Sequence, residues 1–564
     1  MKTFTQSFTK GLTKRFTKRS TIFNKNFTKG LALSLIASLV FVTACSKSED
    51  GGNTKESATP AVVKPADPFG RYDETVTLSL AKAILPEDKS LPTGDTLENN
   101  QYTRYVLDKA NIKFDYTLTA ATGDAFKQKV EVAIASNDIP DVMIVTEKQL
   151  RQMVEAGQLE DLTEVYENYA TPQMKEVFAT SQGKSLEMAT FDGKLMAIPN
   201  QAPEADFVPL LWIRQDWLDK VGLEQPKTVD DLIKVAKAFI EQDPDDNGKA
   251  DTIGLPGPNT ALNSTDKGFG SIFTSFGAYP KTWLRDSSGN VIYGSIMPEM
   301  KDALLKLREM YAAGLIDKEF ALRKDAAELI AGGKAGMFFS PWWAPFGGAL
   351  LDAVKNNPKA DWQPVTGPVD ANGQFNSVMG PVSNQFLVVK KGIKHPEAAL
   401  IALNTFSLPD ADKLDKNVLP EYVPVRLVAT RTDIIADMYQ SISKTLAGEI
   451  KEEELPDNYK SVLELVKTEQ ASPKADLGLW GSVHSYMVGG GALAKPYNKV
   501  YSLIYSETKT METKWATLNK LEDETLLKII MGREPIEAFD TFVEKWKSLG
   551  GSDILKEIDA ASNN

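Results

Sequence analysis

Apolar and polar residues alternate over 75–80, where Val76, Leu78 and Leu80 share one face. A period of two predicts a strand. Apolar residues then recur at helical spacing over 99–110 and 123–135. The run Asp141-Val142-Met143-Ile144-Val145 is short and almost wholly apolar, as in a strand covered on both faces. A helix over 147–156 stops at Gly157, the residue type that most easily takes the left-handed turn after a helix. This alternation predicts an α/β protein with a mostly parallel sheet. Further strands are expected over 210–214, 336–340 and 385–389, and helices over 229–241, 298–313 and 526–549. The last carries Ile529, Ile530, Phe539, Phe542, Val543 and Trp546 on one stripe, and Pro535 splits it in two. No repeat period argues for a solenoid.

Ahead of the first strand stands a different pattern. Residues 30–44 carry no charge, and before them come Lys2, Lys10, Lys14, Arg15, Lys18, Arg19, Lys25 and Lys29 with no acid. A basic stretch, an apolar core and small residues make a secretory signal. The run is shorter than the ~20 residues of a membrane span. It ends Val42-Thr43-Ala44-Cys45, and Cys45 is the only cysteine in the chain. This resembles the lipobox of bacterial lipoproteins, in which the thiol takes a diacylglyceryl group and becomes the mature N-terminus. The alternative is an ordinary signal with a chance cysteine. Residues 1–44 are thus expected to be removed, and 45–72 to be a lipidated cysteine and flexible tether.

Without residues 1–44 the chain keeps 56 basic against 76 acidic residues, a net charge near −20. Such a surface argues against nucleic acid and anionic lipid as partners. A single cysteine excludes a disulfide framework and a thiolate zinc site. His395 and His484 are the only histidines, too few for a multi-histidine metal site. His395, in Lys394-His395-Pro396-Glu397, reads as a surface residue at a helix start.

The order of several short motifs is recognisable. Ser136-Asn137-Asp138-Ile139-Pro140-Asp141-Val142, Gly157-Gln158-Leu159-Glu160-Asp161-Leu162-Thr163 and Phe191-Asp192-Gly193-Lys194-Leu195 resemble turns of extracellular sugar-binding proteins. Trp212-Ile213-Arg214-Gln215-Asp216-Trp217-Leu218 is similar to a signature of the LipO-like subgroup. Met531-Gly532-Arg533-Glu534-Pro535 with Phe539-Asp540 resembles the subgroup's ending. The chain thus resembles the extracellular solute-binding lipoproteins of ABC importers, of the alginate- and pectin-oligosaccharide-binding type. That resemblance implies a two-lobe Venus-flytrap fold with a hinge and an interlobe cleft. It implies lobes of 73–203 plus 385–435 and 204–384 plus 436–550, with 551–564 as a tail. Crossings are expected near 201–206 and 379–385 and within 425–445. The implied partners are an oligosaccharide and a membrane permease. The protein is expected as a monomer on the extracellular face of the bacterial membrane, touching it only through the lipid.

Asp243, Asp245, Asn247 and Asp251 place oxygen ligands at positions one, three, five and nine of a loop with Gly248 at six. This is the first half of an EF-hand, with Lys249 contributing its carbonyl. The twelfth position is Gly254 rather than the bidentate Glu, and Thr252 stands where similar sugar-binding proteins carry an acid. A structural calcium is one reading, and an acidic turn without an ion the other.

Sugar sites set aromatic faces against sugar rings and use polar groups for the hydroxyls. Trp342 and Trp343 follow a buried-strand pattern, and their segment resembles a Gly-Pro-Trp region of maltose-binding-type proteins with Ser340 in place of the Gly. Either contacts sugar or belongs to the core. Trp283 and Trp480 lie in comparable settings. Asp141 is a hydroxyl acceptor or a turn residue. Arg71 and Tyr72 contact an acidic sugar or end the tether. Trp212, Trp217 and Trp546 read as core. The competing functions are a surface-anchored glycosidase or lyase, which needs only two carboxylates, and a sensory or peptide-binding lipoprotein.

Overall fold

The computed structural model describes residues 66–562 except 86, 87, 263 and 416. The expected secretory signal, the expected lipidation at Cys45 and most of the expected tether therefore lie outside the described residues.

Strands Val76–Ile84, Ile112–Ala121 and Val142–Val145 run parallel, linked by helices Gln101–Ala110 and Asp124–Ser136. Asn100 starts the first helix: its side chain accepts the Tyr102 and Thr103 amides, and Thr103 answers the Asn100 amide. Strand Phe386–Val389 arrives from far along the chain and pairs antiparallel between Val142–Val145 and Ile198–Pro199. One core serves this lobe, built from residues between Leu78 and Ile198 and again between Phe386 and Leu427.

In the second lobe, Leu210–Arg214 lies between Met337–Ser340 and Trp362–Val365 in an antiparallel sheet. Both faces of the central strand are covered, so alternate residues enter different cores. Leu211 and Ile213 join Trp217, Phe239 and Phe339, while Leu210 and Trp212 join Phe338, Trp342 and Trp362. Gly336 shows how closely the first core is packed. A Cβ there would stand 2.3 Å from the Trp217 ring and 2.8 Å from Phe239. Gly336→Ala is expected to cost about 1–3 kcal/mol of stability. A denaturation midpoint equal to the parent's would contradict that.

Three segments cross between the lobes side by side. The Asn200 amide donates to the Gln385 carbonyl, Ala202 to Val382, Gln201 to Val428 and Glu204 to Thr432. Gln201 is buried at the centre of this knot. Its amide donates to the carbonyls of Val177 and Thr430, and its oxygen accepts the Ser185 hydroxyl.

Two ends differ from the sequence expectation. Order reaches back into the expected tether: the Tyr72 amide donates to the Ala110 carbonyl and Arg71 Nε to the Asp108 carbonyl. The expected tail instead forms helix Ser552–Ser562, which buries Ile554 and Ile558 in the second lobe. The helical stretch predicted over 526–549 also begins earlier. It divides into Lys509–Ile530 and Ala538–Trp546. Its first turns are mostly polar, so apolar periodicity alone did not reveal them.

Candidate functional site

The parallel strands of the first lobe end at Ile84, Ala121 and Val145, and the chain crosses to the second lobe along the same edge, at Pro199 and Phe386. Open α/β sheets bind ligands at this carboxyl edge. Asp141, Arg71 and Tyr72 lie at the other end of the strands. The Asp141 carboxylate accepts the Ser79 amide and hydroxyl, both at 2.8 Å, as turn chemistry does. The Tyr72 hydroxyl donates to Glu397 at 2.7 Å, and its ring meets His395 edge-on. Burial, then Glu397, raises the Tyr72 phenol well above its usual range.

The candidate tryptophans separate into three settings. Trp342 is buried beside the first crossing. Its indole donates to Asp206 at 2.8 Å and its ring packs on Tyr486 and Phe346. Burial raises Asp206 above the ordinary carboxylate range, against the opposing pull of that indole donor. Trp343 and Phe346 stand exposed next to it. Trp480 is buried and stacks on His484 at 4.6 Å. The His484 ring also packs against Trp212, 5.9 Å between centres, and its Nε2 lies 2.7 Å from the Trp362 carbonyl. Loss of hydration holds His484 down at about 4, against the pull of that carbonyl.

Trp283 is 5 % exposed and stacks on Tyr293 at 4.3 Å. Together with the half-buried Trp515, 5.7 Å away, it walls a pocket of about 240 Å³. Lys281, Asn519, Tyr505, Ser506 and Glu507 supply the polar lining, and Met379 closes the side nearest the second crossing. Lys281 Nζ lies 2.9 Å from Asp523 and donates to Asn519 at 3.3 Å. Glu522 is buried nearby, accepting the hydroxyls of Tyr293 and Ser295 at 2.8 Å each. Burial raises Glu522 to about 7, although Lys281 and the two hydroxyls oppose it.

The mouth of this pocket touches the other lobe. Lys148, in the first turn after strand Val142–Val145, donates to Glu507 at 2.9 Å. Near the hinge, Lys184 lies 3.7 Å from the centre of the Tyr501 ring, and the Tyr501 hydroxyl and Lys499 both hold Glu204. Trp515 escaped the sequence reading because it stands among polar residues at the start of its helix. Glu522 left a signal: Leu518, Glu522 and Leu526 repeat every fourth residue along the apolar stripe.

The loop from Asp243 to Asp251 folds tightly, with Asp243, Asp246 and Gly248 left-handed. The Asp243 carboxylate accepts the Asn247 and Gly248 amides, and the Asn247 side chain donates to Asp245 and Asp251. Lys220 pairs with Asp246 at 2.5 Å. Burial and the Asp243 carboxylate raise Asp245, and its Oδ1 is buried without a hydrogen-bond partner. Among the described residues, no group of three or more His, Cys, Asp or Glu side chains stands close enough to hold a metal.

Residues 93–413 match the family described as bacterial extracellular solute-binding protein. The chain belongs to that family. It is 24 % identical over 463 residues to the polygalacturonan/rhamnogalacturonan-binding protein YtcQ of Bacillus subtilis, covering 78 % of this chain and 84 % of YtcQ. Lipoprotein LipO of the same organism is 24 % identical over 453 residues, covering 78 % and 85 %. The Streptococcus pneumoniae ABC-transporter substrate-binding protein FusA, solved with kestose, superposes with a TM-score of 0.55 at 19 % identity, covering 86 % of this chain and 99 % of FusA. The two-lobe architecture is therefore that of the family. No helix among the described residues is long and apolar enough to cross a membrane.

Proposed function

We propose that this solute-binding protein captures an oligosaccharide between its lobes and delivers it to an ABC permease. One observation carries the reading: an aromatic-walled pocket on the second lobe whose mouth is bridged to the first by Lys148 and Glu507. Trp515 offers a ring face, held in place by the buried Trp283 behind it, and Asn519 and Ser506 offer hydroxyl partners. The pocket is smaller than the ~300–1,000 Å³ of a whole-ligand site, so it takes one end of the chain. We assign the remainder to Trp343 and Phe346, which are exposed beside Trp342. A ligand touching both lobes shifts the open–closed equilibrium towards closure, and the permease reads the closed form. Lipid on Cys45 would keep the protein beside that permease, at the outer face of the membrane. The names of YtcQ and FusA support a sugar ligand.

Thermal-shift screening of the purified protein against plant and microbial oligosaccharides tests this reading. A ligand at a hundredfold its Kd adds about 2.7 kcal/mol and raises the melting temperature. A shift with the sugar recovered intact supports a binder, cleaved sugar makes the protein an enzyme, and no shift with any sugar defeats the proposal.

We infer that the acidic loop takes a calcium ion. Its oxygen donors are of the hard kind calcium prefers and Asp245 Oδ1 is orphaned; since its acids do not stand together as a metal group, binding would draw them together. An EF-hand variant of FusA is among the similar structures. The ion's work is structural, neutralising the Asp243–Asp245 repulsion and pinning the turn. Calcium at ten times its Kd is expected to add about 1.4 kcal/mol of stability. Chelator should lower the melting temperature, and Asp245→Asn should remove the response. Equal melting curves with calcium and with chelator would exclude the ion.

A further inference from the structure

The charged side chains around the pocket are already matched. Lys281 and Glu507 are the charged residues of its lining. Lys281 is held by Asp523, and Lys148 of the opposite lobe by Glu507. The Lys148 ammonium is raised above its ordinary value, first by the Glu507 hydrogen bond and then by weaker attraction from Glu507, Glu512 and Glu131. Glu512 and Glu131 also act on Lys148, so the two cations face more carboxylates than they can neutralise.

Among the described lining residues, a sugar carboxylate entering this pocket meets one cation, Lys281, already paired with Asp523, and meets Glu507 at the mouth. Bringing an anion to partly dehydrated surroundings without a new counter-charge is unfavourable. An uncharged ring needs only the tryptophan face and hydroxyl partners that are present. Resting on the pocket as the ligand site, we infer that the protein selects uncharged oligosaccharides over acidic ones, and that Glu507 sets this preference. The relatives divide on the point, since one is named for polygalacturonan, a uronic-acid polymer, and another was solved with kestose, an uncharged sugar.

Glu507 acts in two ways. It repels a uronate directly, and it occupies Lys148, a cation that the first lobe brings to the mouth. Glu507→Gln keeps the size and a hydrogen-bonding group, removes the negative charge and leaves Lys148 to a ligand.

Titration calorimetry on the purified protein decides it, with trigalacturonate as the acidic probe and neutral gluco-, xylo-, manno- and fructo-trisaccharides beside it. Trigalacturonate should bind Glu507→Gln about tenfold or more tightly than the unchanged protein, the scale of removing one nearby like charge. Raising salt should strengthen the weak trigalacturonate binding of the unchanged protein, because the repulsion is screened. A merely structural role for Glu507 would produce neither effect, and the variant's melting temperature checks its fold. The inference is overturned if the unchanged protein binds trigalacturonate at least as tightly as any neutral trisaccharide, or if Glu507→Gln brings no gain. A protein that binds no sugar of either kind, before or after substitution, overturns the ligand-site reading itself.

Discussion

Glu522→Gln should gain stability over the parent protein as pH rises from about 4.5 to about 7. The carboxyl of Glu522 is raised in the folded state, so the unfolded chain ionises first. Across that window the folded form holds a proton that the unfolded form has released, and the parent loses stability with every step up in pH. Glutamine has no such proton and still pairs with the Tyr293 and Ser295 hydroxyls. A displacement of this size corresponds to about 3 kcal/mol at most. His484 works in the opposite sense. Its folded value is depressed from 6.5 to about 4, so its contribution is present above 6.5 and is lost as pH falls towards 4. His484→Gln should therefore gain on the parent as pH falls through that range. In the parent the two slopes oppose each other, and each single variant exposes the other's. Melting temperatures of the parent and both variants from pH 4 to 8 test this. Curves that stay parallel would rule out the assignment.

Trp515→Ala should weaken ligand binding by about 30- to 150-fold, the loss typical of an aromatic anchor worth about 2–3 kcal/mol. Trp515 is half-buried at the pocket wall, so its removal costs binding more than folding. Trp546 provides the contrast. It is 0 % exposed and stacks on Tyr293 at 4.9 Å, so Trp546→Ala should cost about 3–5 kcal/mol of stability. Calorimetry with the oligosaccharide found by screening, alongside thermal unfolding of both variants, separates the two effects. Trp515→Ala binding with the parent's affinity would remove this tryptophan from the site.

Local pattern carried much of the architecture. The helix over 229–241 and the strand over 210–214 form with the expected bounds, because Thr228 caps the first and both faces of the second are apolar. Gly157 turns left-handed after its helix as its lack of a Cβ allows. Trp212, Trp217 and Trp546 are buried, as their apolar neighbours implied. What the sequence by itself determined is therefore the α/β class, part of its strands and helices (not strand Ile112–Ala121, for one), and the family whose motifs recur in order. Only tertiary structure decided which residues share the cleft. Lys148 and Glu507 meet across 359 positions of sequence, and Trp283 meets Trp515 because the polar start of helix Lys509–Ile530 docks against the hairpin of strands Trp283–Arg285 and Val291–Tyr293. The same docking buries Glu522, an acid inside an acidic run. Periodicity reports which face of an element is apolar. It does not report which distant element covers that face, and in this protein that covering decides both the pocket and its charge.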